Sequence, residues 1–447
     1  MTIVACDVLV LGSTLGGFVA GAYAARAGLR VTLLEEESHA KRPPLLREPF
    51  LLPGAGMTGP IDGVLHELGA GPLKRRELLR EAPALQVALP DARVALGGGS
   101  ERTADELMGY RLGSRDAIHR WLAAVLALGD ASRGALIAAG APDAGTQSRS
   151  ARFGARFRPL RVPRLAQRPV PPGPERVDRV LTALAEGLSY QADLRPGEAP
   201  ALLVRGTLDE GIRGVDAVSG VLDLLRHRYT SLGGEIRPAS APLLFGGRGE
   251  FAVELGRERL VARALVLAAP GHLLRERVAA DESSRAWLGE APRALPIPTR
   301  LVRAQQSALS SGMGARVVDA TDPQETRWLA RTADPAEADV EWVILRGSTL
   351  PSPSGDDPLG PLAPFASGRL QTVDPGPDVR WDLGGAEVRI AGHGWRALRA
   401  RSPLILSVGP DVAPALGVEG ETLGARRVGI WLGERLEAPR QRAGAGW

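Results

Sequence analysis

The stretch VLGSTLGGFVAGAYAARAGLRVTLLEEE, residues 10–37, carries the strongest local pattern in the chain. Just before and into it, CDVLVL (6–11) is a short apolar run closed by Gly12, as expected of a strand buried in a parallel sheet. A helix is predicted from about 15 to 27, and the small residues Gly17, Ala20, Gly21 and Ala24 on neighbouring turns let it lie close against that sheet. Gly28 ends the helix, and RVTLLE supplies a second strand with Glu35 at its end, 23 positions after Gly12. Strand, glycine turn, small-faced helix, strand and terminal acid, in that order, describe a dinucleotide-binding unit. The pyrophosphate meets the helix N-terminus, and the acid meets a ribose hydroxyl. Thr14 stands where the second glycine of G-x-G-x-x-G belongs. Its side chain takes space otherwise left to the phosphates, although its hydroxyl is able to donate to them. A parallel unit that binds nothing is the competing reading.

Bulk properties narrow the classes. A chain of 447 residues, 44% hydrophobic, buries a sizeable core and suggests two or three packed domains. Of its 55 basic residues, 53 are arginine, the exceptions being Lys41 and Lys74. The isoelectric point near 9.7 accompanies a net charge of only +4, so it reflects arginine's high pKa more than a strongly basic surface and is weak evidence for nucleic acid, which is not expected as a partner. Cys6 is the only cysteine, which rules out an intrachain disulfide and a cysteine metal cluster and fits a packed, inert thiol in a reducing compartment. Asp7 interrupts the apolar N-terminus and no basic segment precedes it, so a signal peptide is not expected. No uncharged apolar run approaches the roughly 18 residues that a membrane span needs. A cytoplasmic protein is expected, with no metal, since His39, His66, His119, His227, His272 and His393 lack ligand spacing.

Further along, GVDAVSGVLDLLRHRYTSLGGEI (214–236) reads as an amphipathic helix over about 215–231 with a Gly233-Gly234 stop. FAVELGRERLVARALVLAAP completes a hairpin and ends in a buried strand. LILSVGPDVAPALGVEGETLGARR (404–427) gives another buried strand, a glycine-rich turn and a helix beginning near Glu421. Strands from three distant stretches therefore share one parallel sheet.

Together these four stretches resemble the FAD-dependent amine oxidase and phytoene desaturase superfamily, over roughly a third of the chain and in the family's order. The resemblance implies an α/β protein: a Rossmann-like FAD-binding domain assembled from discontinuous segments, with an inserted mixed α+β substrate domain. Its expected division is FAD-binding domain 1–75, 201–275 and 401–436, substrate domain 76–200 and 276–400, and a flexible tail 437–447. Carried over onto this sequence, Gly12, Gly16 and Gly17 match the phosphate turn with Thr14 among them, and Glu35 the ribose acid. Gly409 and Asp411 match the segment reaching the ribityl and pyrophosphate region, and Gly420 the close approach beside the isoalloxazine. A helix starting near Glu421 aims N–H groups at the flavin edge where negative charge collects on reduction, and Glu421 itself is expected to point away.

Three departures from the family pattern stand out. Thr14 is one, and the Gly-Gly-Arg motif after the ribose acid is another, replaced by SHAKRPPLLREPF, where Arg42 or Arg47 is either a phosphate partner or a solvated loop charge. Pro242 is the third, since it has no N–H to offer where the family places an adenine contact. Amine oxidases of the superfamily also place a lysine near the flavin and tyrosines around the substrate. This sequence has no lysine after Lys74 and no tyrosine after Tyr229. The desaturase-like branch, in which an apolar, isoprenoid-like substrate gives a hydride to flavin, needs fewer side chains. The alternative is a non-catalytic or weakly FAD-binding accessory protein of the same fold. His393 is a loop histidine or a proton carrier, and no catalytic base stands out. The segment 148–174 carries seven arginines from Arg149 to Arg168 among Phe153, Phe157 and Leu160, without an acid. It is either an exposed proline-rich insertion or a seat on an anionic membrane surface.

Overall fold

A computed structural model describes residues 2–36, 51–56, 59–79, 85–138, 163–174, 176–191, 194, 196–210, 212–213, 215–239, 243–245, 251–255, 257–269, 293–297, 299–309, 312–322, 325–334, 336–347, 370–373, 378–382, 404–410 and 412–444. Arg42, Arg47, Pro242, His393 and Asp411, with most of the arginine-rich segment, lie outside these described residues.

In chain order the elements begin with β1 (Thr2–Leu11), α1 (Leu15–Arg26), β2 (Val31–Glu35), β3 (Leu52–Pro53), α2 (Pro60–Glu67) and α3 (Pro72–Leu79). Next come β4 (Leu85–Leu89), β5 (Ala92–Leu96), α4 (Ser100–Gly109), α5 (Arg115–Ala138), α6 (Val177–Leu188), α7 (Ala201–Arg205) and a π-helical turn, Gly206–Glu210. The chain continues through β6 (Ile212–Arg213), α8 (Val215–Ser231), β7 (Glu235–Pro238), β8 (Leu243–Phe245), β9 (Phe251–Leu255) and β10 (Glu258–Leu267). It ends with β11 (Arg293–Ile297), β12 (Thr299–Gln305), β13 (Arg316–Asp322), β14 (Glu325–Ala333), β15 (Val340–Gly347), β16 (Leu370–Val373), β17 (Asp378–Asp382), β18 (Leu404–Ser407) and α9 (Gly417–Gly444).

The expected α/β architecture is the observed one. β7, β2, β1 and β10 run parallel in that order, and β18 joins β10 in parallel, so all three distant stretches enter one sheet. The hairpin expected around residue 256 is the antiparallel β9–β10 pair. A second sheet, β16-β12-β15-β14-β13-β4-β5, is antiparallel except for β13 beside β4, and its inner face packs on α6 through Val318, Trp328, Ile344 and Leu184. Burial holds the Cys6 thiol up at about 11, consistent with an inert core thiol.

Small residues position the helices over the parallel sheet. Tyr229 of α8, fully buried, fits against Gly21 and Gly234, where added Cβ atoms would approach its ring to 3.0 and 2.3 Å. Its hydroxyl lies 2.9 Å from both the Val31 and the Glu235 carbonyl oxygens, which fastens α8 to the ends of β2 and β7. On the other flank α9 lies against α1 so closely that a Cβ on Gly429 would meet the Ala20 carbonyl oxygen at 2.6 Å. α9 starts at Gly417, one turn before Glu421, because Gly417 adopts φ +56 and turns the chain into the helix there. It runs on to Gly444.

α5 has the length and composition of a membrane span, but Ile118, Trp121, Leu122 and Val125 belong to the second apolar core.

Candidate functional site

The turn between β1 and α1 is built by three glycines that the surrounding backbone leaves no room to replace. Gly12 has φ +107, and a Cβ there would lie 2.5 Å from the Ala269 amide nitrogen. At Gly16 it would lie 2.3 Å from the Val408 carbonyl oxygen, and at Gly17 2.3 Å from that of Gly12. The glycines thus bring the ends of β1, β10 and β18 and the start of α1 into contact. Thr14 has a role that its position in the fingerprint conceals: it is the N-cap of α1. Its Oγ1 accepts from the Gly17 N–H at 3.2 Å and donates to the Ala268 carbonyl at 3.2 Å. The departure from glycine is repaired locally by a helix cap.

A second donor of this turn also has a partner. The Gly16 N–H donates 2.8 Å to Oε1 of Glu421, a buried carboxylate 405 residues away on α9. Glu421 therefore points into the β1–α1 turn, a partner that the sequence did not indicate. The reason is electrostatic: the positive end of the α1 dipole and a free N–H draw the nearest anion. Glu35 ends β2 as expected, is buried, and accepts two hydrogen bonds from the Arg226 guanidinium of α8 at 2.8 and 2.9 Å. Gly409 and Gly420 come together on one small cleft, lined also by Ser407, Val412, Glu421 and Arg427. Thus Gly12, Thr14, Gly16 and Gly17 form one turn, Gly409 and Gly420 a neighbouring cleft, and Glu421 belongs to both.

A charged cluster that sequence reading missed lies on the other side of α9. Arg133 of α5 donates from Nε to Glu419 at 2.6 Å and from Nη1 to Glu210 of the π-helical turn at 2.9 Å. Arg205 also binds Glu210, and reaches Asp130 at 2.9 Å. The cluster closes on Gly54, φ +67, where a Cβ would lie 3.0 Å from Glu419 Oε2 and 3.3 Å from Glu210 Oε2. Glu210 Oε2, Arg133 Nη2 and Thr207 Oγ1 are buried and make no hydrogen bond among the described residues. Burial raises the Glu419 carboxyl to about 7, with Arg133 pulling it down and Glu210 pushing it up. For Arg133, burial favours loss of the proton, but Glu419 and Glu210 outweigh it and hold the guanidinium firmly charged. The arrangement places buried carboxyls and a fixed cation beside Gly54. Among the described residues no group of three acidic, histidine or cysteine side chains has the geometry of a metal site.

No family model matches the chain, and no curated protein sequence matches it. Solved structures do share its fold. An oxidoreductase from Methanosarcina mazei superposes with a TM-score of 0.53 at 14% identity, covering 94% of this chain and 99% of that one. Cyclohexylamine oxidase from Brevibacterium oxydans IH-35A gives 0.52 at 14%, covering 97% and 99%. Putrescine oxidase bound to putrescine gives 0.54 at 14%, covering 98% and 100%. At this identity the likeness establishes the fold, over nearly the whole length of both chains.

Proposed function

We propose that the chain binds FAD and acts as a flavin-dependent oxidoreductase on an apolar substrate, in the manner of the desaturase-like branch. The observation that carries the reading is the start of α1, where a glycine turn at the end of a parallel strand already receives an anionic oxygen on the Gly16 N–H. The residues present fit the cofactor's chemistry. Gly12, Thr14, Gly16 and Gly17 offer an anion seat, Glu35 a ribose acceptor, and Gly409 and Gly420 a cleft beside them. Arg42 and Asp411 are proposed to complete the phosphate and ribityl contacts. Bound FAD supplies a two-electron, hydride-accepting ring. The chain's own part is to hold the substrate against that ring and keep water out.

The absence of lysine beyond Lys74 and of tyrosine beyond Tyr229 supports an apolar substrate over an amine. Arg164 and Arg168, exposed beside the rest of the arginine-rich segment, support a cytoplasmic protein that touches an anionic membrane surface to take up that substrate. A second reading, an accessory protein without catalysis, is favoured by the internal partners of Gly16, Gly17 and Glu35.

Anaerobic reduction separates these readings. With FAD loaded, a long isoprenoid hydrocarbon presented in detergent micelles is expected to bleach the visible flavin absorption, and primary amines are not. Bleaching by amines alone overturns the apolar assignment. Bound flavin that neither class reduces points to the accessory reading.

A further inference from the structure

We infer that Glu421 is an internal competitor for the cofactor's diphosphate: its carboxylate sits on the Gly16 N–H at the start of α1, and dinucleotide binding exchanges one anion for another there. The inference rests on the FAD reading above and names what controls that site. Three observations carry it. First, the hydrogen bond is short, buried and spans two helices that meet nowhere near each other in sequence, at 2.8 Å and 405 residues of separation. Second, the next donor, the Gly17 N–H, is held by the helix's own N-cap Thr14, whereas the Gly16 N–H is held by a carboxylate from another helix, so that an incoming anion meets a competing charge at Gly16. Third, Glu421 also lines the cleft shared by Gly409 and Gly420, so space for its side chain to move into lies directly beside its present position. Gly16 keeps the contact tight, since a Cβ there would stand 3.0 Å from Glu421 Oε1.

The physics favours exchange over coexistence. One helix N-terminus stabilises one anion, and a carboxylate and a diphosphate at hydrogen-bonding distance of the same N–H repel each other strongly in a buried setting. Glutamate retains enough length to withdraw, unlike a backbone obstruction. The seat is therefore filled by the chain itself until a stronger anion takes it.

Titrations of wild type, Glu421→Gln and Glu421→Ala test this, using quenching of flavin fluorescence for FAD and competition for ADP. Gln keeps the size and hydrogen-bonding capacity of the side chain, so its folded fraction provides the control if the Ala variant unfolds. Removal of the competing charge is expected to tighten FAD binding by about tenfold or more, the scale of one charge-assisted hydrogen bond. ADP, which shares the diphosphate, is expected to gain in parallel, and riboflavin, which lacks it, to stay unchanged. FAD bound equally by wild type and Glu421→Gln overturns the competition and leaves the FAD reading intact. Weaker binding by Glu421→Gln overturns it also, because the carboxylate would then support the cofactor. FAD bound by none of the three proteins removes the FAD reading and the competitor with it.

Discussion

Arg133→Met is expected to destabilise the folded chain by about 3–5 kcal/mol at pH 8, the usual consequence of removing one member of a buried ion pair. Methionine fills the volume of the arginine stem, so the loss is electrostatic more than a cavity effect. Arg133 bonds two buried carboxylates, Glu419 on α9 and Glu210 on the π-helical turn. Glu210 keeps Arg205, whereas Glu419 is left inside the protein without the guanidinium that opposes its charge. The variant escapes part of the cost by taking a proton onto Glu419, so the loss should shrink as pH falls toward 5. Urea unfolding of both proteins at pH 5 and pH 8 measures it. A loss under about 1 kcal/mol at both pH values would show that the cluster does not hold α5, α9 and the π-helical turn together.

Glu419 predicts a pH dependence of its own. Its carboxyl is raised in the folded protein from 4.5 to about 7, chiefly by burial. A folded state that holds the proton more tightly is most favoured while the group is protonated in both states, below about 4.5. That contribution is lost as pH rises from about 4.5 through about 7, and in the limit it amounts to something on the order of 3 kcal/mol. The Glu67 carboxyl, where burial is outweighed by Arg426 and Tyr23, is held below the usual 4.5, so the effect is read as a difference between two proteins that share it. Wild type is expected to lose stability relative to Glu419→Gln as pH rises through this window. Parallel stability curves for the two proteins would mean that Arg133 and Arg205 together offset the burial of Glu419 in full.

The fold was legible where the pattern is local. Gly12, the small face of α1 and Glu35 lie within one stretch of chain, and buried parallel strands announce themselves as short apolar runs, so the three segments of the parallel sheet were readable. The site was legible by position and not by contact. Thr14 read as an obstruction because its capping bond to Gly17 depends on the angle at which the turn meets α1. Glu421 was weighed only against the flavin edge, because its partner, the Gly16 N–H, lies 405 residues away in sequence. The arginine cluster had no local signal at all, since Arg133 meets Glu210 and Glu419 across 77 and 286 residues. Arg226 on Glu35, 191 residues apart, escaped for the same reason.

The central claim is that the β1–α1 turn with the Gly409–Gly420 cleft forms a dinucleotide seat. Titration of the purified wild-type chain with FAD, followed by the visible spectrum of protein-retained flavin after gel filtration, tests it most directly. The account predicts saturable retention of one FAD per chain, displaced by excess ADP. Flavin that passes through unretained at every concentration, with wild type and with Glu421→Gln alike, would contradict it.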